Sequence, residues 1–320
     1  MHPFTDNPAE AISALGEQKL IAAIRRWLGN ATPPSPFGIG DDCAVLPRSS
    51  RRTLVTVDPV IHGKHFDATV PPRAVGEKLL KRNLSDIAAM GGRPRAAVVA
   101  LALDAKISTR WLAAFYRGLA SASRRYRVPI VGGDISHQPG GFAATLTLIG
   151  EASAKRVLTR TGAKNGDWIY VTGTLGGSIL GHHYRFTPRL DEGRWLAALP
   201  EVRSMMDLSD GLAKDLAALT PADAVPALEA GAIPISPAAR RLAARTSGKT
   251  ALHHALADGE DYELLFTLAT RADRAAFEAT WKRKFPSTRL SCLGRFARAT
   301  LPEHLNLHVV HGYEHLRQTS

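Results

Sequence analysis

The chain has 320 residues, 45% hydrophobic and 22% charged, a globular composition with room for two domains that each bury a core. Its 41 basic and 29 acidic residues give a net charge of +12, yet the basic residues are scattered in pairs such as Arg51-Arg52, Arg124-Arg125 and Arg240-Arg241, without the basic tail or aromatic platform of a nucleic-acid binder. No apolar run approaches the ~20 residues of a membrane helix and no export signal opens the chain, so we expect a cytoplasmic protein with no nucleic-acid or membrane partner. Cys43 and Cys292 are too few for a disulfide scaffold and are expected reduced and buried.

In chain order, Leu20, Ile21, Ile24, Trp27 and Leu28 have the spacing of an amphipathic helix over 17–28, which Gly29-Asn30 ends. Gly38-Ile39-Gly40-Asp41-Asp42 then delivers two adjacent carboxylates to an apolar run, Ala44 to Leu46, that reads as the start of a strand. Adjacent carboxylates repel, so the pair is either a solvated turn or half of a cation site. Residues 53–57 read as a β-branched strand with Asp58 at its end, followed by a loop that holds His65.

Residues 74–90 read as a helix stopped by Gly91-Gly92 and Pro94. Asn83 and Asp86 continue the apolar stripe of Val75 and Leu79. Burying either without a partner costs roughly 1–3 kcal/mol, which points to a ligand or a capped backbone segment. A strand over 96–103 follows, then a helix capped by Ser108 or Thr109 and running to Tyr126, then a short strand, 128–131, ending in Gly132-Gly133-Asp134. Glycines between a strand and an acid let backbone N–H groups meet phosphate while the acid holds a cation, though a plain turn has the same residues. A strand over 142–152 closes the first half, and the pattern breaks between 152 and 160.

The second half contains a strand over 167–172 running into a Gly-rich loop, Gly173 to Ser178. Asp207-Leu208-Ser209-Asp210-Gly211-Leu212 then places two acids around a helix start for which Ser209 is the expected N-cap. Ser236-Pro237 opens another helix by the same logic. The acidic turn from Asp258 to Glu263 leads into a strand over 264–268. The run from Ala243 to Thr250 fits a loose P-loop expression, but it follows a helical pattern rather than a strand, so it is not read as a phosphate loop.

Together these motifs resemble thiamine-monophosphate kinase, a family in the superfamily of aminoimidazole ribonucleotide synthetase and selenophosphate synthetase. The residues concerned are 38–46, Asn83-Leu84-Ser85-Asp86 through Met90-Gly91, 131–134, Arg160-Thr161-Gly162-Ala163, 169–176, 207–212 and 259–266. The match runs in order from Gly16-Glu17 to Gly312-Tyr313-Glu314-His315. The resemblance implies an α/β (α+β) fold like that of aminoimidazole ribonucleotide synthetase. Its N-terminal domain, 1–152, binds ATP and metal and pairs its mixed sheet with that of a second subunit. Its C-terminal domain, 153–320, is an α/β sandwich, and ATP lies in the groove between the two.

By position, Asp42, Thr56, Asp58, Asp86, Asp134, Asp207 and Asp210 are implied to hold several magnesium ions, with Asp86 and Asp210 at the centre of catalysis. Gly133, Asp134, Arg160 and Ser209 are implied to contact the nucleotide, and His65, Glu260 and Tyr313 the thiamine phosphate. The implied reaction is ATP- and magnesium-dependent phosphorylation of thiamine monophosphate, by direct in-line transfer in a homodimer. Two polyanions must meet for this, and metal charge offsets their repulsion.

The chain departs from the family pattern at Val57, where a threonine is usual, at Ile135 and His137, at Gly177 in place of an aspartate, and at Asp258 in place of a glycine. The stretch 181–188 is also shorter than usual. These departures leave open a relative that acts on another small phosphorylated or heterocyclic acceptor. A basic nucleic-acid-binding protein is the remaining alternative, for which a salt-dependent gel shift is the test.

Overall fold

The computed structural model describes residues 1–34, 37–39, 43–154, 156–245, 248–299 and 304–307. Asp42 and Tyr313 therefore lie outside the described residues, as do Gly40 and Asp41. The chain divides into two compact units, Met1–Ile87 with Arg93–Ala152, and Ala88–Gly92 with Ser153–Ser320.

In the first unit, helix α1 (Glu17–Leu28) buries Leu20, Ala23, Ile24 and Leu28 and ends at Gly29, whose φ of 55° suits a residue without Cβ. Then come β1 (Thr53–Ile61), α2 (Pro72–Ala89), β2 (Gly92–Leu103), α3 (Thr109–Tyr126), β3 (Ile130–His137) and β4 (Phe142–Ala152). They build a mixed four-stranded sheet in the order β1-β4-β2-β3. β1 runs antiparallel to β4 with Asp58 opposite Leu146, and β2 runs parallel to β3 with Ala100 opposite Asp134. Ser108 caps α3 by accepting the Trp111 N–H at 3.4 Å.

Period-2 alternation gives β4 two faces. Phe142, Ala144, Leu146 and Leu148 are buried, and α3 lays Trp111 and Phe115 against Phe142, with ring centroids 4.8 and 5.5 Å away. Helices α2 and α3 cross closely because Gly76 and Gly118 lie at the crossing. A Cβ on Gly76 would stand 2.0 Å from the Phe115 carbonyl oxygen. The edge strand β1 leaves Val55 and Val57 67% and 58% exposed.

The second unit contains β5 (Trp168–Thr172), α4 (His182–Arg185), α5 (Leu190–Ala198), β6 (Val202–Asp207), α6 (Leu212–Leu219), β7 (Val225–Leu228), α7 (Pro237–Arg245), α8 (Ala251–Ala257), β8 (Leu264–Leu268), α9 (Arg274–Lys284) and β9 (Leu290–Ala297). The five strands form a sheet in the order β6-β8-β5-β9-β7 with antiparallel neighbours. Alternation along β5 feeds two cores. Ile169 and Val171 join Leu212, Leu216 and Leu256 on one side, and Tyr170 joins Phe266 and Phe277 on the other.

Several local expectations are corrected. Residues 44–46 form no strand, and Val45 and Leu46 are exposed. β1 continues through Asp58 and Pro59 to Ile61, so Asp58 sits within a strand. Proline is tolerated there because β1 is an edge, where one row of N–H groups faces no partner. Likewise β3 runs through Gly132-Gly133-Asp134, which is not a strand-end turn. The N-cap of α6 is Gly211, not Ser209. Cys43 is exposed and Cys292 half-buried, and both are free thiols. The P-loop-like stretch begins in the last turn of α7 and ends at Thr250, the N-cap of α8, which accepts the His253 N–H at 3.1 Å.

Candidate active site

Helix α2 turns one stripe, Lys78, Arg82 and Asp86 at i, i+4 and i+8, toward β1 and the loop after it. Lys78 Nζ donates to the His65 carbonyl at 2.8 Å. Arg82 donates to the Pro59 carbonyl and, at 3.3 Å, to Asp58 Oδ1. Asp86 Oδ2 accepts the Thr56 hydroxyl. Thr56, Asp58 and Asp86 are thus brought to one edge of the sheet. His65 is buried nearby, with Nδ1 accepting the Ile61 N–H at 3.1 Å, a bond that closes its own turn. Asn83, fully buried, donates to the Leu79 carbonyl at 2.9 Å.

Gly133 and Asp134 occupy β3, the opposite edge. Gly133 lies so close to β2 that a Cβ there would meet the Val99 carbonyl oxygen at 2.1 Å. Asp134 is exposed and its Oδ2 accepts the Ser136 hydroxyl at 2.9 Å. Beside them a cavity of about 670 Å³ is lined by Ile21 and Ile24 of α1, Tyr116, Ile130, Gly133 and Asp134. Three strand spacings separate β1 from β3, roughly 14 Å at ~4.8 Å each. The sheet therefore keeps Asp134 away from Asp58.

In the second unit Asp207 ends β6, buried, and Ser209 and Asp210 follow in the turn before α6. A residue that sequence reasoning passed over holds this turn. Asp215 Oδ2 accepts both the Ser209 and Asp210 N–H groups, each at 2.9 Å. Desolvation pushes the Asp215 carboxyl up to about 7; the Asp210 and Asp207 charges push the same way, against its two N–H bonds. Asp210 pairs with Lys214 at 2.7 Å. Arg160 is exposed in an irregular segment.

The acidic turn before β8 is laced to this loop. Glu260 N–H donates to the Ser209 carbonyl and Tyr262 N–H to the Leu208 carbonyl, both at 2.8 Å. Asp261, 1% exposed, accepts the Gly176 N–H at 3.0 Å, and burial raises its carboxyl well above the usual range. Asp258 Oδ2 accepts the Gly177 N–H at 2.7 Å. Two departures from the family pattern, at 177 and 258, therefore face each other. Gly177 has φ +72°, and a Cβ there would stand 2.4 Å from the Ala238 backbone. Glu263, 2% exposed, accepts from Arg189 Nε and Nη2 at 2.7 and 2.5 Å and from the Thr172 hydroxyl at 2.6 Å. Asp215 gave no sequence signal, and Asp261 and Glu263 showed only as members of an acidic turn, because only the fold shows which groups each carboxylate holds.

Among the described residues no three acidic, histidine or cysteine groups close around a cation by themselves. The donor chemistry nevertheless fits magnesium, which prefers hard oxygen and takes one or two carboxylates, completing its shell with water and phosphate. Thr56, Asp58 and Asp86 supply such oxygens at one edge, and Asp207 and Asp210 in the second unit. Among the described residues no helix is long and apolar enough to cross a membrane.

Residues 40–152 match the family model of the AIR synthase related protein, N-terminal domain. A thiamine-monophosphate kinase from Rhodopirellula baltica is 37% identical over 274 residues, 82% of this chain and 85% of that protein. The crystal structure of thiamine-monophosphate kinase from Stenotrophomonas maltophilia superimposes with a TM-score of 0.73 at 30% identity, covering 87% of this chain and 94% of that one. A solved structure of AaThiL complexed with AMPPCP and TMP gives a TM-score of 0.71 at 28% identity over 95% of this chain and 98% of that one.

Proposed function

The chain belongs to the thiamine-monophosphate kinase family, and from that membership we propose that it transfers the γ-phosphoryl group of ATP to thiamine monophosphate, giving ADP and thiamine diphosphate. The observation that carries this reading is the relative whose complex holds AMPPCP, an ATP analogue, together with TMP, and which matches nearly the whole chain.

In the proposed reaction an oxygen of the acceptor phosphate attacks the γ-phosphorus in line, and the bond to the β,γ-bridging oxygen breaks. No protein nucleophile takes part. Thr56, Asp58, Asp86, Asp134, Asp207 and Asp210, with Asp42 beyond the described residues, would hold magnesium, and Asp86 and Asp210 are given the catalytic role. When bound, the metal supplies positive charge that offsets repulsion between the two phosphates.

The chain's own part is positioning. The Thr56 hydroxyl orients the Asp86 carboxylate and Arg82 fixes Asp58. Asp215 holds the backbone on which Ser209 and Asp210 stand. Gly133, Arg160 and Ser209 contact the nucleotide, and His65, Glu260 and Tyr313 the acceptor.

We place the protein in the cytoplasm as a homodimer, with 1–152 as the nucleotide, metal and dimerisation domain and 153–320 as the C-terminal domain. The exposed Val55 and Val57 on an edge strand support pairing with a second copy. The sheet order, with Asp58 and Asp134 on opposite edges, supports a metal–phosphate cluster that takes the two from different subunits.

The test is an assay of the purified protein with ATP, magnesium and a panel of phosphorylated and heterocyclic acceptors. Thiamine monophosphate should give the highest kcat/KM. A higher value for another acceptor would transfer the reading to that substrate.

A further inference from the structure

We infer that His183 and Tyr262 are positioning residues of the acceptor site, gripping the two carboxylate oxygens of Glu260 so that it meets the acceptor's heterocycle in one orientation. The inference rests on the proposed assignment of Glu260 to the acceptor. The Tyr262 hydroxyl donates to Glu260 Oε1 at 3.1 Å. His183 Nδ1 stands 3.6 Å from Glu260 Oε2, within ion-pair range on the opposite oxygen. Both gripping side chains belong to buried residues, 4% and 3% exposed, while the Glu260 side chain is 27% exposed. Glu260 is thus held by two buried side chains while part of its own surface reaches solvent.

The surroundings fix the two anchors in turn. His183 lies in α4, the four-residue helix in the shortened stretch of the chain. The neighbouring His182 Nε2 lies 2.9 Å from the Asp261 carbonyl oxygen. Phe186, just past α4, stacks on the Tyr262 ring with centroids 4.0 Å apart and planes 20° from parallel. Glu260 and Tyr262 are two of only three non-glycine residues with positive φ among those described, at 61° and 52°. Two such strained residues one position apart persist only where the surrounding contacts hold them, as function often requires. A long carboxylate held at both oxygens reaches its ligand without losing rotamer freedom on binding. Thiamine monophosphate offers such a carboxylate both a cationic thiazolium ring and an amino group on its pyrimidine.

Full-length variants Glu260→Gln, His183→Ala, His183→Gln and Tyr262→Phe should be compared for the KM of acceptor and ATP, kcat and Tm. Tyr262→Phe keeps the ring that stacks on Phe186, so it tests the hydroxyl in a folded protein. Loss of a hydrogen bond to a charged group predicts about a tenfold rise in acceptor KM for Tyr262→Phe, and loss of the partner in ion-pair range a rise in the same direction for His183→Ala, ATP KM staying within about twofold. His183→Gln, which keeps an N–H donor, should recover much of the loss. Unchanged acceptor KM in His183→Ala and Tyr262→Phe, with a raised value in Glu260→Gln, would overturn the inference and leave the acceptor assignment standing. Equal rises in acceptor and ATP KM would also overturn it, as a general structural effect. An unchanged acceptor KM in Glu260→Gln would instead remove the assignment of Glu260 itself.

Discussion

Asp58 and Asp134 stand on strands at opposite edges of a four-stranded sheet, roughly 14 Å apart at ~4.8 Å per spacing. Two carboxylate oxygens bound to one magnesium ion lie within about 4.2 Å of each other, twice the ~2.1 Å metal–oxygen distance. Asp58→Asn and Asp134→Asn should each be inactive as homodimers, since an amide keeps the shape and loses the charge. In a mixed dimer, one site receives both substitutions and the other receives neither. Random reassortment makes half of the dimers mixed, so about a quarter of wild-type activity should return, and about half in mixed dimers purified through two different tags. The assay is ADP release after co-expression of the two variants. Tag-purified mixed dimers no more active than the parents would refute the composite arrangement and leave each subunit to complete its own site.

Asp86→Asn and Asp210→Asn should lose turnover while keeping the wild-type circular dichroism spectrum; near-normal kcat in both would remove these carboxylates from the reaction. Glu263→Gln leaves the half-buried Arg189 guanidinium with only its longer pair to Glu192, at 3.9 Å, and should cost about 2–3 kcal/mol in urea unfolding, whereas a loss below about 0.5 kcal/mol would show the Glu263 pair to be dispensable. The Asp215 pKa of about 7 lies above the ordinary 3.8, so the folded state binds its proton more tightly than the unfolded state does. Its contribution is then full below pH ~4 and declines as pH rises through ~7, by at most about 4 kcal/mol. Urea unfolding in EDTA should show wild type losing stability relative to Asp215→Asn across that window, and a constant difference would contradict the assigned burial.

Local chemistry made much of the fold legible. Ser108 and Ser236 marked helix starts, and each hydroxyl does accept a backbone N–H three residues on. Gly29 and Gly91 stopped helices and both adopt positive φ. The misreadings came where tertiary pairing overrode a local signal. Pro59 and Gly132-Gly133 look like strand breakers, but Pro59 is allowed on the edge strand β1 and the glycines fit the close approach of β3 to β2. Ser209 had the residue type of an N-cap, yet Asp215, six residues on, holds the turn instead.

The candidate acids were visible as residues in Gly- and Ser-containing turns, but their grouping was not. Strand order is a non-local property, so the separation of Asp58 from Asp134 had no trace in the spacing of the chain. The contact between Gly177 and Asp258 was equally hidden, since 81 residues separate the two departures in sequence.

A single-turnover experiment with γ-labelled ATP and thiamine monophosphate tests the central claim most directly. The label should appear in the terminal phosphate of thiamine diphosphate, one equivalent per ADP formed, with none on the protein at any time during the turnover. Label bound to the protein in a kinetically competent amount, or ADP formed without labelled thiamine diphosphate, would contradict direct transfer to this acceptor.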